Sequence, residues 1–231
     1  MKFQGPATVQ IAVADAAVVV QLVDRNGNPS DASASVLQAM LADETIIAAG
    51  VGLDQDMIEL HREWGSGDSE IKGRFDMGGI GGSAGRTAAL KTLTQTVVQV
   101  ELQKSRKLAV SNWGQVPLKE EQIAYCARDA WAAAAIMAEL AERDPDTYSQ
   151  AALIKRLEKE VSIAELDTRA RGRKVAKTRL LKILGKGDDR VKVEDLSDDL
   201  QQEVDELEVT MRNLAPPRPF IFDVHPLGMT L

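Results

Sequence analysis

Thr45-Ile46-Ile47-Ala48-Ala49-Gly50-Val51-Gly52-Leu53-Asp54-Gln55-Asp56 passes from an apolar run through a Gly-Val-Gly turn into an acid-rich opening. Thr45 to Ala49 predicts a buried strand, and Asp54 to Trp64 predicts the helix that follows it. A strand feeding a helix is the alternation of an α/β fold. Upstream, Ala7 to Val13 alternates with period two and Ala17 to Val23 is a second β-branched run, so Ala14-Asp15-Ala16 is a hairpin connection. Between hairpin and strand, Val36, Leu37, Met40 and Leu41 form one face of a helix over 31–43. Downstream, glycines crowd Gly73 to Gly85 and predict a loop, and helical spacing returns from Thr87 to Val98. Leu118 to Glu142 predicts a long helix, with Glu120 and Glu121 in its first turn, an alanine-rich middle and Asp144-Pro145 as its stop.

The chain is long enough, at 231 residues, for one good-sized domain or a domain with an appendage. Its 44% hydrophobic and 27% charged residues exclude a wholly disordered or collagen-like chain. Aromatic residues are only 4%, so Ala, Val, Leu and Ile must fill the core and base-stacking platforms are scarce. A net charge of −7 excludes nucleic-acid binding by bulk charge and leaves only a local contact. A lone cysteine, Cys126, forbids an internal disulfide framework and a cysteine-based zinc site, which points to an intracellular setting. No apolar run reaches signal-peptide or membrane-span character, so no membrane partner is expected. His61 and His225 have no Ser or Cys nucleophile motif beside them, and no phosphate-cradling glycine pattern fits Gly73 to Gly85.

Beyond Pro145 the composition shifts. A basic block runs from Arg169 to Lys186 with no intervening acid, and acids then dominate Asp188 to Glu208. Apolar spacing predicts two amphipathic helices joined near Gly185-Lys186-Gly187, either as solvated faces that pair with each other or with the basic block on nucleic acid. Pro216 to Phe222 reads as an extended tail.

Two acids stand where a scaffold could present them. Asp56 follows the Gly-Val-Gly turn, and Asp129 lies one helical turn after Tyr125, on the same face. A carboxylate on an alanine-rich face needs a partner, because desolvating it alone costs several kcal/mol, roughly. Arg128, a nearby lysine or a metal ion would each serve.

The order of phrases narrows this. Gly50-Val-Gly-Leu-Asp-Gln-Asp56-Met-Ile-Glu-Leu60, Phe75-Asp-Met-Gly78, Leu90-Lys-Thr-Leu93, Ser111-Asn-Trp113 and Leu118 to Trp131, with Tyr125-Cys-Ala-Arg-Asp129 inside it, follow one another with ordinary gaps. Together they resemble the DEDD superfamily of 3′–5′ exonucleases in its tyrosine variant, most closely the Werner-helicase type. The resemblance covers roughly Phe3 to Arg143. It implies a ribonuclease H-like (DnaQ-like exonuclease) α/β fold over residues 1–143; residues 144–231, which the match does not reach, are expected to be a helical extension and tail dispensable for its folding. It also implies two-metal hydrolysis of a terminal phosphodiester, at DNA or RNA 3′ ends, with Mg2+ or Mn2+. Asp56 matches the second-motif acid, and Tyr125 and Asp129 match the third motif. The two acids would be metal ligands, and the tyrosine would orient the attacking water. Lys104, Arg106 and Lys107 resemble the basic segment that meets phosphates. The family's first motif, an Asp-x-Glu on the opening strand, is not found ahead of Val9 to Val13, so the first strand is expected to be lacking and the metal site incomplete. An inactive form is therefore expected, and a catalytically dead nucleic-acid-binding or protein-interaction module on the same fold is the alternative.

Overall fold

The structure is a computed structural model that describes residues 5–64, 71–80, 88–187 and 190–215. The expected tail from Pro216 and part of the glycine-rich stretch, 81–87, lie outside the described residues.

The hairpin forms as its alternation predicts. Strands β1 (Thr8–Ala12) and β2 (Ala17–Gln21) pair antiparallel with Thr8 opposite Gln21, and the Val13 amide donates to the Ala16 carbonyl across the turn at 2.9 Å. Helix α1 (Asp31–Ala42) follows. Its Leu37 and Leu41 are buried, whereas Val36, on the expected apolar face, is exposed.

Strand β3 (Ala48–Gly50) starts three residues later than the apolar run suggests. The Asp43 carboxylate explains the delay, because it accepts from both the Thr45 amide (2.8 Å) and the Thr45 hydroxyl (2.7 Å) and holds Thr45 in a turn. Helix α2 (Leu53–Trp64) then buries Met57, Ile58 and Leu60. A second difference lies in the glycine-rich stretch read as loop, which contains strand β4 (Arg74–Asp76), parallel to β3 with Ala49 opposite Phe75. Three residues between glycines are too short to show a period. Gly73 enters β4 at φ +58, and a Cβ there would stand 2.0 Å from the Ile46 carbonyl oxygen, so only glycine fits.

Helix α3 (Leu90–Leu93) continues into a π-helical turn, Thr94–Val98, and the chain then enters α4 (Arg106–Ala109). Helix α5 (Glu120–Arg143) is the long helix expected, and it packs against β1, β2 and β3. The result is mixed α/β, the class that the resemblance implies. Among the described residues its strands form two separate pairs, since no strand bridges them into the single sheet that the resemblance implies.

Phe75, Met77, Ile80, Leu93, Val97, Ile136 and Leu140 form the main core. Two short helices after α5, α6 (Pro145–Tyr148) and α7 (Gln150–Leu157), complete it by inserting Tyr148 and Leu153, and the Tyr148 ring meets Phe75 edge-on at 6.3 Å. The first compact unit accordingly reaches Ile163, well past the expected boundary at 143. The second unit begins at Ala164 and holds most of α8 (Ile163–Leu184) together with α9 (Asp198–Asn213), the two amphipathic helices expected. No helix among the described residues is long and apolar enough to cross a membrane.

Candidate functional site

Gln122 organises the beginning of α5. Its side chain accepts from the Lys119 amide at 3.0 Å and donates to Ser111 Oγ (3.0 Å) and the Asn112 carbonyl (3.1 Å). A buried amide left without partners costs about 1–3 kcal/mol, so these bonds fix the Ser111-Asn112 segment to the helix start. Trp113 is thereby held against Tyr125, ring centroids 6.0 Å apart and tilted by 46°, and its indole N–H donates to the Ala109 carbonyl at 3.3 Å.

Lys104 closes the cluster. It precedes Ser105, whose hydroxyl accepts from the Leu108 amide and caps α4. Its Nζ donates to Asp129 Oδ2 at 2.5 Å and lies 5.2 Å from the centroid of the Tyr125 ring. With the Lys104 and Asp129 side chains 30% and 16% exposed, the ion pair is partly withdrawn from water and stronger than a surface pair. Of the partners open to Asp129 on sequence, the lysine is the one in place, and the Arg128 guanidinium instead donates to its own helix at the Ala124 carbonyl. Burial and the Asp129 charge push the neighbouring Cys126 thiol up to about 11, which keeps it protonated and unreactive. Arg106 and Lys107 lie exposed on α4 with no acid partner among the described residues.

Asp56 stands in a different setting, the first turn of α2. That turn is held by Asp76, whose carboxylate accepts from the Gly52 amide (3.0 Å), the Gly78 amide (2.8 Å) and the Asp54 amide (3.5 Å). Asp54 in turn receives the Arg74 guanidinium at 2.8 Å. Although Asp56 as a residue is exposed, the chain around its carboxyl withdraws water from it, and the Asp76 and Glu59 charges add to that, raising its pKa. Asp76 and Gln122 fall within the phrases Phe75 to Gly78 and Leu118 to Trp131, but neither role is readable there, since a carboxylate or amide that serves backbone groups leaves no side-chain pattern.

A raised carboxyl pKa means the native chain binds its proton more tightly than the unfolded chain does. Stability from this group is then full below the unfolded value, about 4, and is lost as pH rises through the native one. Asp56→Asn is accordingly expected to raise the melting temperature at pH 7 and to give little gain near pH 4. Thermal melts at the two pH values check this, and an equal shift at both would contradict it.

The donor set does not fit a two-metal centre as it stands. One Asp129 oxygen is bonded to the Lys104 ammonium, and among the described residues no three His, Cys, Asp or Glu side chains gather as a metal-holding group. What the site offers is an ammonium, a tyrosine hydroxyl, a carboxylate and a tilted pair of aromatic rings, a constellation suited to a phosphate-bearing, base-bearing ligand.

Comparison with known proteins gives the class. The family profile described as 3′-5′ exonuclease matches residues 6–143, and the chain belongs to that family. A 3′-5′ exonuclease of Arabidopsis thaliana is 32% identical over 128 residues, covering 54% of this chain and 42% of the relative. Exonuclease 3′-5′ domain-containing protein 2 of Homo sapiens is 33% identical over 106 residues, covering 44% and 17%. The bifunctional 3′-5′ exonuclease/ATP-dependent helicase WRN of Mus musculus is 30% identical over 99 residues, covering 42% and 7%. The chain thus spans less than half the length of these curated relatives. A solved structure of the EXD2 exonuclease domain, soaked in Mn and Mg, is 27% identical with a TM-score of 0.26, covering 62% of this chain and 75% of that one.

Proposed function

We propose that this chain engages the 3′ ends of nucleic acid, DNA or RNA, at the cluster of Lys104, Trp113, Tyr125 and Asp129, and that residues 1–231 bind such ends without hydrolysing them. One observation carries the reading. The Lys104 ammonium sits on both the Asp129 carboxylate and the Tyr125 ring, joining the basic segment to the third-motif face of α5.

Each residue then has a role. Lys104, Arg106 and Lys107 supply cations for phosphate oxygens, and Trp113 with Tyr125 offers a face for a terminal base, where stacking is worth about 1–3 kcal/mol. The Tyr125 hydroxyl orients a water or a phosphate oxygen by hydrogen bonding, which suits a phenol of ordinary pKa about 10 better than proton removal does. Asp56 and Asp129 are the acids this chain offers toward Mg2+ or Mn2+. Two carboxylates, one of them held by an ammonium, do not enforce the octahedral oxygen coordination that magnesium demands.

Labelled single strands with a free 3′-hydroxyl test this in magnesium and in manganese. They are expected to bind, to stay at full length, and to bind several-fold more weakly to Lys104→Ala. Metal-dependent shortening that Asp129→Asn abolishes would show that a complete hydrolytic centre assembles within these residues. A chain that does not bind the strands overturns the reading altogether.

A further inference from the structure

The basic block of α8 is not consumed by the fold. Three of its arginines are neutralised within the second unit: Arg169 by Glu165, Arg171 by Asp167 and Arg179 by Glu203, each at 2.5 Å. The Arg179–Glu203 bridge is the one ion pair joining α8 to α9 among the described residues, so opposite charge is not the main adhesive between the two helices. Leu166, Ala176 and Leu184 of α8 and Val204 of α9 are buried, and the one apolar approach to α8 fixed by geometry is at Gly172, where Leu214 Cδ1 would stand 2.6 Å from an added Cβ.

Of the block's other five basic residues, Arg173 has its Nε buried and Lys186 lies beyond the helix, which leaves Lys174, Lys177 and Lys182 on α8. All three are exposed and have no acid partner among the described residues. At about 100° per residue, Lys174 and Lys182 fall on the same solvent face as Arg171, whose side chain stays 67% exposed although paired. Lys177 flanks that face, and the uncharged Val175 and Thr178 separate the cations. Arg171 to Lys182 rises roughly 16 Å at ~1.5 Å per residue, enough to meet several phosphates of one strand.

From this we infer that the solvent face of α8 is a second nucleic-acid contact, a phosphate-tracking lane for a single strand. Point charges on flexible stems match a flexible polyanion, and one exposed valine is too little apolar surface for insertion into a bilayer. The choice of nucleic acid among polyanions rests on the function proposed above.

The test uses the full chain, a 5′-fluorescein single strand read by anisotropy across a salt series, and the variant Lys174→Gln/Lys177→Gln/Lys182→Gln. Loss of three phosphate contacts is expected to reduce the slope of log K against log salt by about 2, at ~0.7 per contact, and to weaken low-salt binding about tenfold or more. The corresponding triple arginine variant should restore both. Unchanged affinity and slope in the glutamine variant overturn the lane and leave the Lys104 cluster standing. Loss in the glutamine variant but none in Lys104→Ala keeps the lane and overturns the cluster as a binding site. Absence of any binding overturns both. Adhesion to phosphatidylserine vesicles that the glutamine variant loses, with strand binding unaffected, assigns the face to lipid and also overturns the lane.

Discussion

Residues 1–144 expressed alone are expected to lose the cooperative melting transition of the full chain. Cutting there removes Tyr148 and Leu153, both nearly inaccessible to water, from a core that also contains Phe75, Met77 and Ile136. It also removes two of the three partners of Arg74, since the Val161 carbonyl and the Glu160 carboxylate lie beyond the cut while Asp54 stays. In the intact chain, Leu153→Ala alone should cost about 2–5 kcal/mol, the range for deleting a large buried side chain that leaves a cavity. Urea denaturation of the full-length variant measures that cost, and calorimetry of the shortened chain shows whether a transition survives. A sharp transition in residues 1–144 would show that α6 and α7 cover a core complete without them.

Arg74→Met is expected to destabilise the chain by about 1–3 kcal/mol, because the buried guanidinium satisfies a backbone carbonyl and two partly buried carboxylates that lose their partner. The guanidinium is 7% exposed, donates to Asp54 and to the Val161 carbonyl, and lies 3.5 Å from Glu160. Glu160 already has a raised pKa, chiefly from burial, with Arg74 as the main influence holding it down. Without Arg74 its carboxyl rises further, so the native chain retains that proton to higher pH than the unfolded chain does. The damage should be greatest at neutral pH and should shrink as pH falls toward about 4, where the unfolded carboxylates also protonate. Chemical denaturation of both proteins at pH 4.5 and pH 7 checks the sign.

Legibility in the sequence followed the length of each signal. The long apolar and alanine-rich spacing of α5 and the two β-branched runs of the hairpin each exceed one full period, and their boundaries are found within about two residues. Strand β4 has three residues and depends on pairing with β3, a contact between segments remote in sequence. Helices α6 and α7 begin at Asp144-Pro145 and Ser149, and residues that stop one helix also cap the next: the Asp144 and Ser149 side chains accept from the Thr147 and Ala152 amides. The proline therefore reads as a boundary of the domain when it is only a bend within it.

At the candidate site, Tyr125 and Asp129 share a helix face and Lys104 lies in the basic segment, so the sequence names the residues that meet. Which cation holds Asp129 depends on a contact across 25 residues that spacing does not encode. Asp76 and Gln122 lie inside the quoted phrases, but their roles are not legible there, because what they hold is mainly backbone, which every residue carries.

The two walls of the site have unequal footing. Tyr125 and Asp129 belong to the same continuous helix as Ile136 and Leu140, which are sealed in the core. Lys104 leads into α4, a single turn with no buried residue, tied to α5 mainly through Gln122 and the Trp113–Tyr125 contact. Segments of that kind open at a small fraction of the global free energy, in exchange experiments as in binding. One wall of the site is thus built on a helix rooted in the core, and the other on a short segment anchored by the buried Leu102 and by side-chain contacts to α5.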